Sequence, residues 1–468
     1  MSTSTRRDLL NNLLAAGISV STARSQTGGT KKIIVAGGGI GGLCCAYELL
    51  KHGHEVTVLE AAGRSGGHIL TVRDRLADGL YADGGAEHFY RPGYDMFWRY
   101  IDEFHLPVIA YPRRDHMVYY IGGRPHTEEM LADRGVLKKL ELNQKEIDYL
   151  VQHPWAEFSQ LYYGPYLDDF KDEYRPFDAG LNDLDHLTVT AFLEKKGASA
   201  AAIGFIGGKA SALNAIWFSA IKKRRGMRQF ERRLFRIKGG NQTLTDTLAS
   251  KLGQRLRLGA PLTAIRHGDS GVTVHFNESG QEKRLEADYL VSCIPMFILR
   301  KIPVTPDWPE SRRYIVRNLP YDSYGRAILQ SRTRFWEKDG VSPNLEFGGE
   351  ALSSVWSMAD EIKTERGLLI GTAPIGSAEK AMAAFRKFYP GHSEDIEQAL
   401  AVDWTHDPWA MGCLPTPYAP GELAKFWPEV IQPCGRIYFA GVYADNLTFG
   451  MEAAVRSANR VAEAIHKA

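Results

Sequence analysis

The sequence predicts an α/β fold built on a parallel sheet, and three observations carry that prediction. A strand, a glycine turn, a helix and a second strand ending on an acid follow one another from Lys31 to Glu60; the glycines between them keep a fixed spacing; and strand-like segments return at "EADYLVSCIP" and "GRIYFAG". Lys31 to Ala36 is apolar and β-branched, as a parallel strand buried on both faces requires. From Ile40 to His52 apolar residues recur at helical spacing, and Gly53 ends the helix. Between them Gly37, Gly39 and Gly42 stand as G-x-G-x-x-G. The first permits a tight turn, the second lets backbone approach a pyrophosphate, and the third, followed in the helix Ile40 opens, lets helix and strand pack closely. The helix N-terminus then offers unpaired N–H groups to the phosphates. Glu60, about twenty residues on, is placed to accept hydrogen bonds from a ribose hydroxyl. The pattern is that of a dinucleotide site.

Beyond Glu60 the chain reads "EAAGRSGGH", with Arg64 and the pair Gly66-Gly67, and "GLYADGGAEHF" returns as a further short strand. The order E-x-x-x-R-x-G-G resembles the amine oxidase branch of FAD enzymes: monoamine, polyamine and L-amino-acid oxidases, with phytoene desaturases and protoporphyrinogen oxidase more distant. The resemblance implies FAD as cofactor and an FAD-binding Rossmann-type (glutathione-reductase-like) domain that is discontinuous in sequence, covered by an α+β substrate domain. It divides the chain into an FAD-binding domain of residues 31–94, 236–301 and 402–468 and a substrate-binding domain of residues 95–235 and 302–401, after an arm of residues 1–30. In the middle FAD-binding piece a helix from Gln242 leads to strands around Leu256, Val272 and Tyr289, and backbone at Leu262 falls where the family holds the adenine.

Composition narrows the class. The chain has 468 residues, 44% hydrophobic and 24% charged, enough for a large buried core in two or three domain-sized units. Net charge is +2, which gives no global argument for nucleic acid. The basic run Lys222–Lys238 reads as a solvated helix face, the alternative being a docking patch for an anion. The 5 cysteines show neither C-x-x-C nor a His/Cys cluster, so neither a disulfide scaffold nor a metal site is expected. His52-Gly53-His54 falls on a helix-to-strand turn and is expected to be solvated. No run of eighteen apolar residues occurs, so no transmembrane anchor is expected. Paired arginines Arg6-Arg7 precede a short apolar stretch, which resembles a twin-arginine export signal. The expected location is periplasmic or secreted if the segment is a signal, and cytoplasmic if it is a plain amino-terminal arm.

Three further stretches carry chemistry through the resemblance. In "SCIPMFILRKIPVTP" Lys301 follows Pro295 at the spacing of the lysine that faces the flavin N5 through a water; an ammonium suits that role because its pKa responds to burial. In "DWTHDPWAMGCLPTPYAPG" Trp404, Cys413 and Gly421 keep the spacing of monoamine oxidases, which makes Trp404 a flavin neighbour and Cys413 a candidate covalent tether. In "FAGVYADNLTFGMEAAV" a strand runs into Gly441 and a helix starts near Met451, its dipole favouring the electron-rich reduced flavin.

The departures are equally specific. The two cage tyrosines of monoamine oxidases fall at Leu414 and Gly450, the usual G-x-E acid is Tyr443, the arginine after Gly-Gly is His68, and the carboxylate-gripping arginine of L-amino-acid oxidases falls at His88. A free α-amino acid is therefore a poor expectation, and Glu87, His88, Trp409 and Tyr418 are candidates to line a wider pocket. The resulting expectation is an FAD-dependent oxidase. It removes hydride from a C–N bond of an amine-like small molecule, the imine hydrolyses, and dioxygen returns the flavin to its oxidised form with hydrogen peroxide released. Its rate should rise as the amine deprotonates, and a homodimer is compatible with the resemblance. The alternative is a desaturase acting on C–C bonds of a bulky apolar substrate, favoured by the missing cage and opposed by Lys301.

Overall fold

The computed structural model describes residues 29–348, 352–373, 377–412, 414–448 and 450–468. Five strands, β1 (Lys32–Ala36), β2 (Glu55–Leu59), β3 (Leu256–Arg257), β4 (Tyr289–Ser292) and β5 (Ile437–Phe439), form one sheet in the order β3-β2-β1-β4-β5. All four ladders are parallel. Strand β1 sits at the centre, with Ile33 to Ala36 buried, so its apolar run is covered on both faces as a central parallel strand must be. The chain leaves β1 towards β2 on one side and returns as β4 on the other. That reversal opens a crevice at the carboxyl ends of the strands, where open α/β sheets bind ligands.

Three helices brace this sheet: α1 (Ile40–Lys51), α2 (Gln242–Leu252) and α3 (Gly450–Lys467). Helix α1 packs against both others. Its closeness to the β5 turn depends on Gly41, where a Cβ would stand 3.3 Å from Gly441 Cα. Thus α1 and α3 meet backbone to backbone beside the crevice.

A second architecture covers the crevice. Seven strands form a mixed sheet in the order Ile396–Asp403, Gly325–Ser331, Gly367–Ala373, Ser354–Ser357, Leu345–Glu346, Val118–Ile121 and Arg124–Thr127. Its one parallel ladder, Leu345–Glu346 with Val118–Ile121, joins segments far apart in sequence. One face packs with the helix Ala378–Phe388 around a separate core that includes Phe335, Trp336, Phe385 and Tyr389. A smaller sheet pairs Leu234–Ile237 with Phe89–Tyr90 and Val108–Tyr111.

Several expectations are corrected here. The strand Leu234–Ile237 crosses the boundary read at 235/236, and Ile396–Asp403 crosses that at 401/402; pairing holds each strand together where composition suggested a break. The basic run is no solvated helix face. Its helix ends at Arg224, a strand begins at Leu234, and Arg236, fully buried, pairs with Asp83 at 3.0 Å, while Arg225 pairs with Glu173. The turn at Gly53 is not wholly solvated either: His54 is 4% exposed and its ring meets His466, 3.2 Å away, because α3 crosses beside the start of β2. The arm, but for its last two residues, and Cys413 lie outside the described residues. No described helix is long and apolar enough to cross a membrane.

Candidate active site

A cavity of about 570 Å³ opens at the carboxyl ends of the five parallel strands, and each strand contributes the residues that follow it: Gly37 after β1, Glu60 after β2, Leu262 beyond β3, Cys293 after β4 and Gly441 after β5. The switch-point crevice and the cavity are one feature. The first turn of α1 forms one wall. Its N-cap, Gly39, is extended and offers no side-chain cap, so the first N–H groups of the helix stay available at the cavity, where Ile40 and Gly42 also lie. Gly37 adopts φ +109, and a Cβ at Gly42 would overlap the Gly37 carbonyl oxygen. Both positions are therefore closed to side chains for steric reasons visible in the turn itself.

Glu60 is 8% exposed and accepts from Gly38 N at 2.5 Å and Ala62 N at 2.7 Å. Burial raises its pKa while these two amides oppose the rise, so the carboxylate is fixed in place at the end of β2. Arg64 lines the cavity but spends its guanidinium on the turn beside it, donating to Gly67 O at 2.6 Å and to Ser65 O and Ile69 O. It thereby holds Gly66, φ +102, and Gly67, φ +57, against the glycine cradle. Arg64, expected as a cofactor contact, thus has a structural task in the turn beside the cavity.

Towards the other end the lining turns aromatic. Trp404 is buried, donates from Nε1 to Gly84 O at 2.8 Å and lies 4.7 Å from the His68 ring. His68 faces the cavity; its Nε2 is buried and lacks a partner among the described residues, and burial lowers its pKa to about 4. Met451 and Gly450 bring the first turn of α3 to the wall. A Cβ at Gly450 would fall on the Tyr94 hydroxyl, so a ring from another helix, Asp95–Glu103 and its N-cap Tyr94, already fills the space beside residue 450. Tyr443, which stands where the family usually has an acid, donates to Ser292 O at 2.9 Å and ties the end of β4 to the β5 turn.

Lys301 also lines the cavity, two residues beyond the short helix Met296–Leu299, but its side chain is exposed. The burial anticipated for it is missing because that helix ends at the rim. Of the four pocket candidates only Trp409 lines the cavity, at 38% exposure. Tyr418 stacks on Phe426 at 4.7 Å as part of the core. Glu87 and His88 lie behind the lining residues Gly85 and Ala86, where Glu87 is 3% exposed and pairs with Arg113 and His88. Burial would raise the Glu87 pKa, but Arg113 and then Arg326 overcome it and hold the carboxyl at about 2. The arginines and the wall residue Tyr324 were not legible in the sequence, because each comes from a segment with no motif of its own.

The site fits a dinucleotide carrying an aromatic ring system. Glycine backbone stands where a pyrophosphate must approach, a fixed carboxylate ends β2, and an unpartnered imidazole nitrogen faces the aromatic end. Among the described residues no cluster could hold a metal ion.

Comparisons with known proteins agree. A family model described as flavin containing amine oxidoreductase matches residues 40–466. Curated relatives include the L-amino-acid oxidase of Pseudechis australis, 26% identical over 461 residues that cover 92% of this chain and 86% of that protein. That of Notechis scutatus scutatus is 25% identical over 472 residues, covering 95% and 88%. Among solved structures, wild-type putrescine oxidase bound to putrescine superposes with a TM-score of 0.77 at 20% identity, covering 94% of this chain and 99% of the other. Cyclohexylamine oxidase from Brevibacterium oxydans gives 0.74 at 21% identity, covering 94% and 99%.

Proposed function

The chain belongs to the flavin-containing amine oxidoreductase family, and we propose that its cavity oxidises an amine or amino-acid-derived small molecule with dioxygen as the final acceptor. Bound FAD supplies the two-electron oxidation of a C–N bond and passes the electrons to dioxygen with release of hydrogen peroxide. The observation that carries this reading is the single cavity running from the glycine cradle after β1 to the aromatic wall of Trp404 and Met451.

Each part of the wall has a task. Gly37, Gly39 and the first turn of α1 hold the pyrophosphate, Glu60 holds a ribose, Gly66 and Gly67 keep the turn open, and backbone at Leu262 receives the adenine. The N-terminus of α3, with Met451, and the β5 turn at Gly441 stabilise the electron-rich end of the ring system. Trp404 closes the wall and excludes water. Lys301, at the rim, would hold a water towards the flavin, so that reduction of the flavin depends on it. Two readings of the sequence join this proposal: Cys413 forms a thioether to the flavin, and the segment around Arg6-Arg7 exports the protein. Acid precipitation tests the first, since a covalent flavin stays with the pellet; amino-terminal sequencing of protein recovered outside the cytoplasm tests the second.

The decisive experiment is anaerobic mixing of the purified yellow protein with amines, amino acids and isoprenoids while flavin absorbance is followed, repeated with Lys301→Met. Bleaching by an amine or amino acid, with peroxide on readmission of air, is expected, and a slower rate is expected in the variant. Bleaching only by an apolar alkene precursor would move the protein to C–C desaturation. An unchanged rate in Lys301→Met would remove that lysine from the reaction.

A further inference from the structure

The seam where α1, β1, β2 and the end of α3 meet carries three imidazoles that the cavity does not use. His52 caps α1, His54 stands one residue before β2, and His466 lies in the last turn of α3. The His52 ring stacks on His466 with centroids 4.1 Å apart, and the buried His54 lies 5.3 Å from the same ring. Lys31, just before β1, completes the seam. Its ammonium donates to Ile465 O at 2.6 Å and His466 O at 3.1 Å, among the last carbonyls of α3.

The hydrogen bonds fix where the protons sit. The Lys31 amide donates to His54 Nδ1 at 3.3 Å, so that nitrogen presents a lone pair and the ring's own proton is on Nε2. Nε2 in turn donates to His466 Nδ1, 3.2 Å away. An added proton on His54 Nδ1 displaces the Lys31 amide, and one on His466 Nδ1 stands against the N–H of His54. The neutral pair therefore keeps two bonds and the protonated pair one.

Little around the rings favours the charge. Glu463 Oε2 faces His52 Nε2 at 3.6 Å, while its other oxygen pairs with Lys467 at 2.7 Å. Glu55, next to His54 in the chain, lies 4.0 Å from Lys32. The carbonyl end of α3, which attracts a cation, already holds the Lys31 ammonium. Burial first, then His466 and Lys31, lowers the His54 pKa below its ordinary 6.5.

We propose that these three histidines form an acid-released latch: neutral, they hold the last turn of α3 to the start of β1 and to the turn between α1 and β2, and on taking up a proton they let it go. Because folded His54 binds its proton less tightly than the unfolded chain does, the latch is complete above pH 6.5 and weakens as pH falls below it. The release is local. At the other end of α3 Glu452 accepts from Met96 N and Phe97 N, and its pKa, raised by burial to about 7, means that acid does not loosen that end. The latch is independent of what the cavity oxidises.

Native-state hydrogen exchange of the holoenzyme at pH 7.5 and pH 5.5, corrected for the intrinsic rate at each pH, tests this. The amides of residues 465–468 should lose protection roughly tenfold at the lower pH, the limit for one proton about one unit below 6.5, while those of 455–459 change less than about twofold. His54→Gln/His466→Asn keeps a donor facing an acceptor but has no ring to titrate, so it should hold wild-type protection at both pH values. His466→Ala should show at pH 7.5 the low protection that acid gives the wild type. Wild-type protection at 465–468 that is the same at both pH values, or that falls as far in the double variant, overturns the proposal. If the double variant does not fold, the two ends of α3 in the wild type decide: equal loss at both overturns it as well.

Discussion

The two ends of the cavity are held by different kinds of interaction. At the nucleotide end backbone meets backbone: Gly37, Gly42 and Gly66 have no room or no conformational licence for side chains, and Glu60 is anchored by two main-chain amides. At the substrate end side chains from distant segments meet one another, as Glu87 meets Arg113, Arg113 meets Trp356, and Tyr94 fills the space at Gly450. The first kind tolerates no substitution but needs only a short piece of chain. The second can be rebuilt residue by residue, which is how one fold serves different substrates.

The largest expected effect breaks the nucleotide end alone. Gly42→Val drives its side chain into the Gly37 carbonyl, a clash the turn cannot relax, so the purified protein should be colourless, an effect above about 4 kcal/mol. Flavin retained at the wild-type ratio would mean that the turn is softer than its geometry. The next effect breaks the substrate end. Glu87→Gln leaves Arg113 enclosed without its acid and should destabilise the fold by about 3 to 5 kcal/mol in a denaturant titration while FAD still binds. The same pair sets an acid limit. Because the folded pKa of Glu87 lies near 2, below its ordinary 4.5, its contribution is complete above pH 4.5 and is lost as pH falls towards 2. A midpoint in denaturant that is flat over that window in the wild type would contradict this.

A smaller effect sharpens the boundary between the two ends. His68→Ala should weaken FAD binding about tenfold, the worth of one hydrogen bond, measured by the fluorescence of released flavin; no loss would place His68 with the substrate end instead. The smallest effect concerns Glu452, fully buried in the first turn of α3 and accepting from Phe97 N at 2.8 Å and Met96 N at 3.1 Å. Burial raises its pKa to about 7. Since the folded form holds its proton more tightly than the unfolded chain, stability should fall as pH rises from 4.5 to 7, and Glu452→Gln should flatten that slope at a cost of about 1 kcal/mol. A Tm that rises across this window in the wild type would show the sign to be wrong.

The same division explains what the sequence disclosed. The G-x-G-x-x-G turn, Glu60, Gly66-Gly67 and the strand before Gly441 were readable because backbone recognition needs particular residues at particular separations. The start of helix α3 near Met451 was readable through the family resemblance. Tyr94 and Arg113 carried no such signal, since nothing near them in the chain announces which segment will lie opposite. His54 and Arg236 were misjudged for the same reason: local composition marks a turn and a basic run, while burial is decided by α3 in one case and by Asp83 in the other. Lys301 lines the cavity at its exposed rim, a depth the sequence does not encode, because spacing fixes position along the chain and not distance from solvent.

The parallel sheet has a consequence for how the molecule is assembled. Between its neighbours β1 and β4 lie 252 residues of chain (37–288), and between β4 and β5 a further 144 (293–436). The strand after which Gly441 lines the cavity, and the helix that backs α1, are therefore synthesised long after the glycine turn they complete. Such distant pairings close slowly. During that interval the cradle after β1 lacks the wall that β5 and α3 supply. A cofactor seated in that cavity should therefore favour the docked state of β5 and α3, and starving a culture of riboflavin should raise the fraction of chains left susceptible to proteolysis near residue 437.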